Sequence, residues 1–108
     1  MKTILIVDDE KNIVSGLEEA FTLEGYSVLT AYDGKEAWGK VNTNNVVLVI
    51  TDLRMPMMNG NELVERISSS YPMLPVIVLT GHGTIETAVE SMRKGAVDFF
   101  TKPVDLDK

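Results

Sequence analysis

The stretch from Val46 to Gly60, VVLVITDLRMPMMNG, limits the fold more than any other part of the chain. Apolar residues run unbroken from Val46 to Ile50 into Thr51 and Asp52, and Pro56, Asn59 and Gly60 follow as turn formers. A short, largely β-branched apolar run closed by turn signals reads as a strand buried on both faces. Such strands belong to parallel sheets in α/β proteins, where ligands gather outside the carboxyl ends of the strands. Asp52 stands at such an end.

The rest of the chain supplies the matching elements. Thr3–Val7 reads as a first strand that stops at Asp8, Asp9 and Glu10. Ile13, Leu17, Ala20 and Phe21 then form one stripe of an amphipathic helix, with Asp8 or Asp9 able to cap its first turn and Gly25 ending it. Tyr26–Ala31 is a second strand, and Asp33-Gly34 opens a second helix with Ala37, Trp38 and Val41 inward, broken by Asn42 to Asn45. A third helix is predicted from about Asn59 to Ser70 on the spacing of Leu63, Val64 and Ile67. Val76–Thr80 is a fourth strand. Thr84 is the expected N-cap of a fourth helix, with Ile85, Ala88, Val89 and Met92 as its inward stripe and Gly95 as its stop. Thr87 occupies the position where a capping box wants a long acid or amide, so the box is expected to be incomplete. Ala96–Thr101 is a fifth strand, followed by Lys102-Pro103. Met55, Met57 and Met58 are expected to pack locally or lie exposed on their loop.

Five strands separated by four helices predict one domain over residues 1–108, an open parallel sheet with right-handed crossovers. The pattern admits both the 2-1-3-4-5 and the 3-2-1-4-5 strand orders. A fifth helix is expected after the last strand to cover the sheet, and it is expected to be missing or incomplete because the chain stops at Lys108. The face beside the first helix would then be partly bare, which favours self-association.

A net charge of −6 argues against nucleic-acid binding by this domain, which needs clustered Lys and Arg. With no cysteine, disulfides, Cys-based zinc sites and a thiol nucleophile are excluded. MKTILIVDDE lacks the features of a signal peptide, and no apolar run approaches a membrane span. A cytoplasmic setting is expected.

Four strand ends deliver polar groups to one edge: Asp8 and Asp9, Asp52, Thr80, and Lys102. Carboxylates that close repel each other by roughly 3–4 kcal/mol per pair at an effective dielectric near 20. A hard divalent cation relieves that, Mg²⁺ above all and Mn²⁺ as an alternative, and so does the Lys102 ammonium. A carboxylate can also attack phosphorus to form an acyl phosphate. Phosphoryl transfer needs positioning and neutralisation more than acid–base chemistry, and a cation, Lys102, the Thr80 hydroxyl and loop amides would supply both.

Asp8-Asp9 after an apolar strand, Asp52 in DLRMPMMNG, Thr80-Gly81 and Lys102-Pro103 together resemble the receiver domain of two-component response regulators, across essentially the whole chain. The resemblance implies the flavodoxin-like, CheY-like order 2-1-3-4-5. It implies that Asp52 is the phosphoacceptor for a sensor histidine kinase, and that Asp9, Asp52 and the backbone carbonyl of Arg54 ligate Mg²⁺, with Asp8 acting mainly through water. Thr80 and Lys102 would bind the phosphoryl group, Thr80 and Phe99 would be the switch pair, and the Lys102–Pro103 bond would be cis. Arg54 and His82, each two residues after a site residue, would tune the acyl-phosphate lifetime. The run TGHGTIETAVESMRKGAVDFFTKP is similar to receivers of AAA+ enhancer-binding, sigma-54-dependent activators, whose output domain is absent from this chain. The expected activity is therefore a phosphorylation switch in transcription regulation rather than a turnover enzyme, with a homodimer as one consequence. Three rivals fit the residues less well: an unphosphorylated binding module, against which the intact acidic set argues; a haloacid-dehalogenase-type phosphatase, which looks like D-x-D where this chain has adjacent aspartates; and a flavodoxin-like FMN binder, whose phosphate cradle is replaced here by acidic residues.

Overall fold

The computed structural model describes residues 2–55, 58–81 and 84–102. Among these, strands and helices alternate as β1 (Thr3–Val7), α1 (Lys11–Leu23), β2 (Ser27–Ala31), α2 (Gly34–Thr43), β3 (Val46–Thr51), α3 (Gly60–Ser70), β4 (Val76–Thr80), α4 (Ile85–Lys94) and β5 (Asp98–Thr101). The five strands form one parallel sheet in the order β2-β1-β3-β4-β5. This is the flavodoxin-like order. The expected position of a fifth helix, and the Lys102–Pro103 bond, lie outside the described residues.

Strand residues alternate between two cores because successive side chains point to opposite faces. Leu5, Val7, Val49, Val76 and Val78 join Ala37 and Val41 of α2 and Leu63, Val64 and Ile67 of α3 on one face. Ile4, Ile6, Ile50 and Leu79 join Val14 and Leu17 of α1 on the other. The buried stripe of α1 is thus carried by Val14 and Leu17, with Ile13, Ala20 and Phe21 only half-buried at its flanks. No helix among the described residues is long and apolar enough to cross a membrane.

Several helix ends differ from expectation. The N-cap of α1 is Glu10, with no side-chain capping bond, so neither Asp8 nor Asp9 caps it. The Asp8 carboxylate instead accepts from the Glu10 N–H at 2.9 Å. At α4 the capping box is complete after all: Thr87 N–H donates to the Thr84 hydroxyl at 3.0 Å, and Thr84 N–H donates to the Thr87 hydroxyl at 2.8 Å. A threonine hydroxyl is long enough to do the work usually assigned to glutamate. β2 begins at Ser27 and β5 at Asp98, one and two residues later than predicted.

The larger correction concerns which way α4 faces. Its apolar stripe points to solvent: Ile85 is 84% exposed, Val89 47% and Met92 45%. Ala88 is half-buried, and the one fully buried side chain of the helix is Ser91. The reason is polar docking on α3. Ser91 donates to Asn61 at 2.9 Å, and Lys94 pairs with Glu65 at 2.7 Å. Gly95, at φ +121°, lies so close to Ser68 that a Cβ there would stand 2.4 Å from its hydroxyl oxygen.

Candidate functional site

Register brings the site together. Val7 of β1 pairs with both Ala31 and Thr51, so Asp8 and Asp52 emerge side by side at the carboxyl edge. Each is anchored by its backbone: Asp8 N–H donates to Ala31 O and Asp52 N–H to Val7 O, both at 3.0 Å. β4 is offset, with Thr51 opposite Val78, and Thr80 pairs with Thr101. Lys102 therefore starts two residues beyond the row of Asp52, about 6–7 Å along the strand direction. A lysine stem spans that distance, and the side chain reaches back over the edge.

The Lys102 ammonium sits among three carboxylates. Its Nζ lies 2.6 Å from Asp8 Oδ2, 3.2 Å from Asp52 Oδ2 and 3.2 Å from Glu10 Oε1. Asp8 and Asp52 are buried, at 3% and 4% exposure, whereas Glu10 is exposed. The other oxygen of Asp52, Oδ1, accepts from the Leu53 N–H at 2.7 Å. The two oxygens of Asp52 thus have different partners, one a backbone amide and the other a cation.

The charge state follows from these contacts. Burial raises the Asp8 carboxyl above its ordinary 3.8, hydrogen bonds from Lys102 and the Glu10 N–H pull it back only in part, and the Asp52 charge pushes it further up. For Lys102, burial alone would lower the ammonium, but the Asp8 hydrogen bond and the Asp52 and Asp8 charges together outweigh it, and the group ends above its ordinary 10.5. Because its folded value is raised, the Asp8 contribution to stability is present below 3.8 and is lost as the pH rises through the raised value. That of Lys102 is present below 10.5 and is lost only as the pH rises through its raised folded value. At neutral pH the ammonium holds the edge together while the buried carboxyl strains it.

Acidic oxygens of Asp8, Glu10 and Asp52 lie within 4.8 Å of one another, close enough to share one cation. The donor set suits a hard ion such as Mg²⁺. Three carboxylates against one ammonium leave two negative charges over, which a divalent ion balances. Glu10 is the member of this group that the sequence reading missed. Its signal was available in the acidic run Asp8-Asp9-Glu10, but the strand-end logic stops at Asp9. Asp9 itself is exposed and is not one of the three.

The remaining expected residues are placed as follows. Thr80 is fully buried at the end of β4, and its carbonyl accepts from the Lys102 N–H at 2.9 Å. Phe99 is half-buried against the α2–α3 core, opposite Val78, while Phe100 is exposed. Arg54 is exposed on the loop after β3. His82 and Met57 lie outside the described residues. Met58 is buried and Met55 packs against the core, so neither is a free loop methionine. Two glycines let the loop lie this close: a Cβ on Gly34 would meet the Met58 carbonyl oxygen at 2.2 Å, and one on Gly60 would meet that of Asp52 at 2.1 Å.

A doubly wound parallel sheet with a carboxylate–ammonium cluster at its carboxyl edge defines the class, an α/β domain whose acidic edge could hold a metal ion. The chain belongs to the response regulator receiver domain family, which matches residues 4–108. It is 45% identical over 104 residues to the transcriptional regulatory protein GlrR of Escherichia coli K12, covering 96% of this chain and 23% of that protein. The chain thus spans less than a quarter of that relative. Among solved structures, a CheY-like receiver from Methanospirillum hungatei JF-1 superposes with a TM-score of 0.93 at 33% identity, covering 97% of this chain and 84% of that one. The beryllofluoride-activated NtrC4 receiver domain dimer superposes with a TM-score of 0.92 at 37% identity, covering 99% and 88%.

Proposed function

We propose that the domain is a phosphorylation-operated switch in which Asp52 accepts a phosphoryl group from a sensor histidine kinase. The observation that carries this is the split environment of the Asp52 carboxylate. Oδ1 is held by the Leu53 N–H, and Oδ2 is turned to Lys102 at 3.2 Å in a buried, acidic edge. An Oδ2 lone pair attacks phosphorus, the bond from phosphorus to the donor atom breaks, and the leaving group keeps that electron pair. Lys102 neutralises the phosphoryl oxygens, and the Thr80 hydroxyl is a further donor to them. Asp8 and Asp52 would hold Mg²⁺, with Asp9 and the Arg54 carbonyl as the further ligands the family resemblance implies and Glu10 as an acidic neighbour. When bound, the ion supplies positive charge to the transferring group. Arg54 and His82 are assigned to control of water and hence of acyl-phosphate lifetime. Intact mass after incubation with acetyl phosphate tests the proposal. One added phosphoryl group is expected with Mg²⁺ and none with a chelator. A folded protein that gains nothing in either case would be a binding module instead.

The output would be a change at α4 and β5, coupled through Thr80 and Phe99, in a cytoplasmic transcription regulator of the AAA+ enhancer-binding kind. The outward stripe of α4 is an apolar surface suited to a second copy of this domain. The dimeric state of the activated NtrC4 receiver supports that choice. Beryllofluoride with Mg²⁺ is therefore expected to make the wild type sediment as a dimer. Val89→Asp places a charge in the patch and should remain monomeric at the same concentration. A Val89→Asp dimer as tight as wild type would remove α4 from the interface.

A further inference from the structure

We propose that Thr51 is a positioning residue for the Asp52 carboxylate, acting through the peptide unit that joins Asp52 to Leu53. The proposal rests on Asp52 as the phosphoacceptor and names what aims it. Thr51 ends β3 and is fully buried, in a strand whose preceding residues are all apolar. A hydroxyl in such a place needs a partner. Its Oγ1 donates to the Asp52 carbonyl oxygen at 2.9 Å. The Met55 sulfur lies 3.9 Å from the same hydroxyl, but the hydroxyl has one proton, and the nearer oxygen is the stronger acceptor.

The carbonyl that accepts from Thr51 and the N–H of Leu53 belong to one peptide unit, which is planar and rigid. That N–H is the group that holds Asp52 Oδ1 at 2.7 Å. Hydroxyl, peptide plane and carboxylate therefore form a two-bond relay. A carbonyl that accepts a hydrogen bond polarises its amide and makes the N–H a better donor. Gly60 packs against the same Asp52 carbonyl, and its N–H holds the next peptide unit by donating to Leu53 O at 2.8 Å. The carbonyl end of the plane is thus held by two neighbours. The terminal torsion of an aspartate is soft, so without this hold the carboxylate plane could turn and carry its outer oxygen away from the donor. With it, Oδ2 is the oxygen presented to Lys102.

Two substitutions separate aim from packing. Thr51→Val keeps the shape and removes the hydroxyl, and Thr51→Ser keeps the hydroxyl and removes a methyl. Thr51→Val should stay folded with a somewhat lower urea midpoint, because the buried Asp52 carbonyl loses a donor, and should accept phosphoryl from acetyl phosphate at saturating Mg²⁺ about 5–10-fold more slowly, the loss of about one hydrogen bond of positioning. Thr51→Ser should be less resistant to urea, yet react within about twofold of wild type. In the unphosphorylated protein, the Leu53 amide proton should move upfield and exchange faster in Thr51→Val and stay in place in Thr51→Ser. A purely packing role predicts the reverse order, with Ser the worse variant on every measure. Wild-type rate and an unchanged Leu53 amide in Thr51→Val would overturn the relay, as would a Thr51→Ser variant as slow as Thr51→Val. The Leu53 amide is read without phosphorylation. A wild type that never accepts phosphoryl would therefore strike the proposed function and leave the relay to be judged by that amide alone.

Discussion

Asp52→Asn is expected to take up no phosphoryl group under conditions in which the wild type takes up one. Asparagine is the closest replacement in shape. Its oxygen can still accept from the Leu53 N–H, which holds Oδ1 in the native protein. What changes is the position of Oδ2, where an amide nitrogen takes the place of an anionic oxygen. That nitrogen has no lone pair to attack phosphorus, and it presents N–H donors to the Lys102 ammonium, 3.2 Å from the original oxygen. Losing the Asp52 charge also removes one of the proposed ligands, so Mg²⁺ should bind more weakly. The fold should survive, because the lost Lys102 contact is offset by relief of the repulsion between Asp52 and Asp8. Intact mass after acetyl phosphate and Mg²⁺ reads the loss, and urea denaturation reads the fold. An adduct on a folded Asp52→Asn protein at the wild-type level would move phosphoacceptance to another carboxylate, with Asp8 the first to examine.

Gly60→Ala is expected to damage both the fold and the site. The added Cβ would stand 2.1 Å from Asp52 O, 2.8 Å from Leu53 Cα and 2.9 Å from Asp52 C. All three are backbone atoms, so no side chain can rotate away and the β3–α3 loop itself must shift. Overpacking of this kind costs about 1–3 kcal/mol, or somewhat more where the backbone must move. The atoms that move are those that aim Asp52. A displacement of about 1 Å at a reacting group costs roughly 10²-fold in rate, so the surviving folded protein should accept phosphoryl far more slowly. Gly39→Ala is the matched control. It lies within α2 with nothing inside 4 Å of the added atom, and it should stabilise by about 0.4–1 kcal/mol with no change in phosphorylation. Urea midpoints and phosphorylation rates for the pair make the comparison. Equal behaviour of Gly60→Ala and Gly39→Ala would show that the loop yields freely.

Much of the site was legible in residue order because its parts sit at strand ends. An apolar run that stops at a carboxylate, a hydroxyl or an ammonium announces both the strand and its edge. Asp8, Asp52, Thr80 and Lys102 were found in that way, and the structure places all four at the carboxyl edge of one sheet. The strand order was different. Hydrophobic pattern left two orders open, and resemblance to the receiver family chose the one observed. Glu10 escaped because it lies past the strand end, where only the reach of Lys102 across the sheet gives it a partner at 3.2 Å.

By itself, then, the sequence determined the alternation of strands and helices, the limits of most elements to within a residue or two, and the chemical types gathered at one edge. Those properties are local: periodicity, capping residues and turn formers act over a few residues. Only the tertiary structure decided three things. It turned the apolar stripe of α4 outward, because Ser91 and Lys94 find polar partners on α3 that periodicity cannot foresee. It gathered Asp8, Glu10 and Asp52 around one ammonium, because strand offset and side-chain reach set those distances. And it joined Thr51, the Asp52–Leu53 peptide and Gly60 into one support for the Asp52 carboxylate. Periodicity says which side chains share a face. The direction of that face, and what meets it, depend on contacts between elements far apart in the chain.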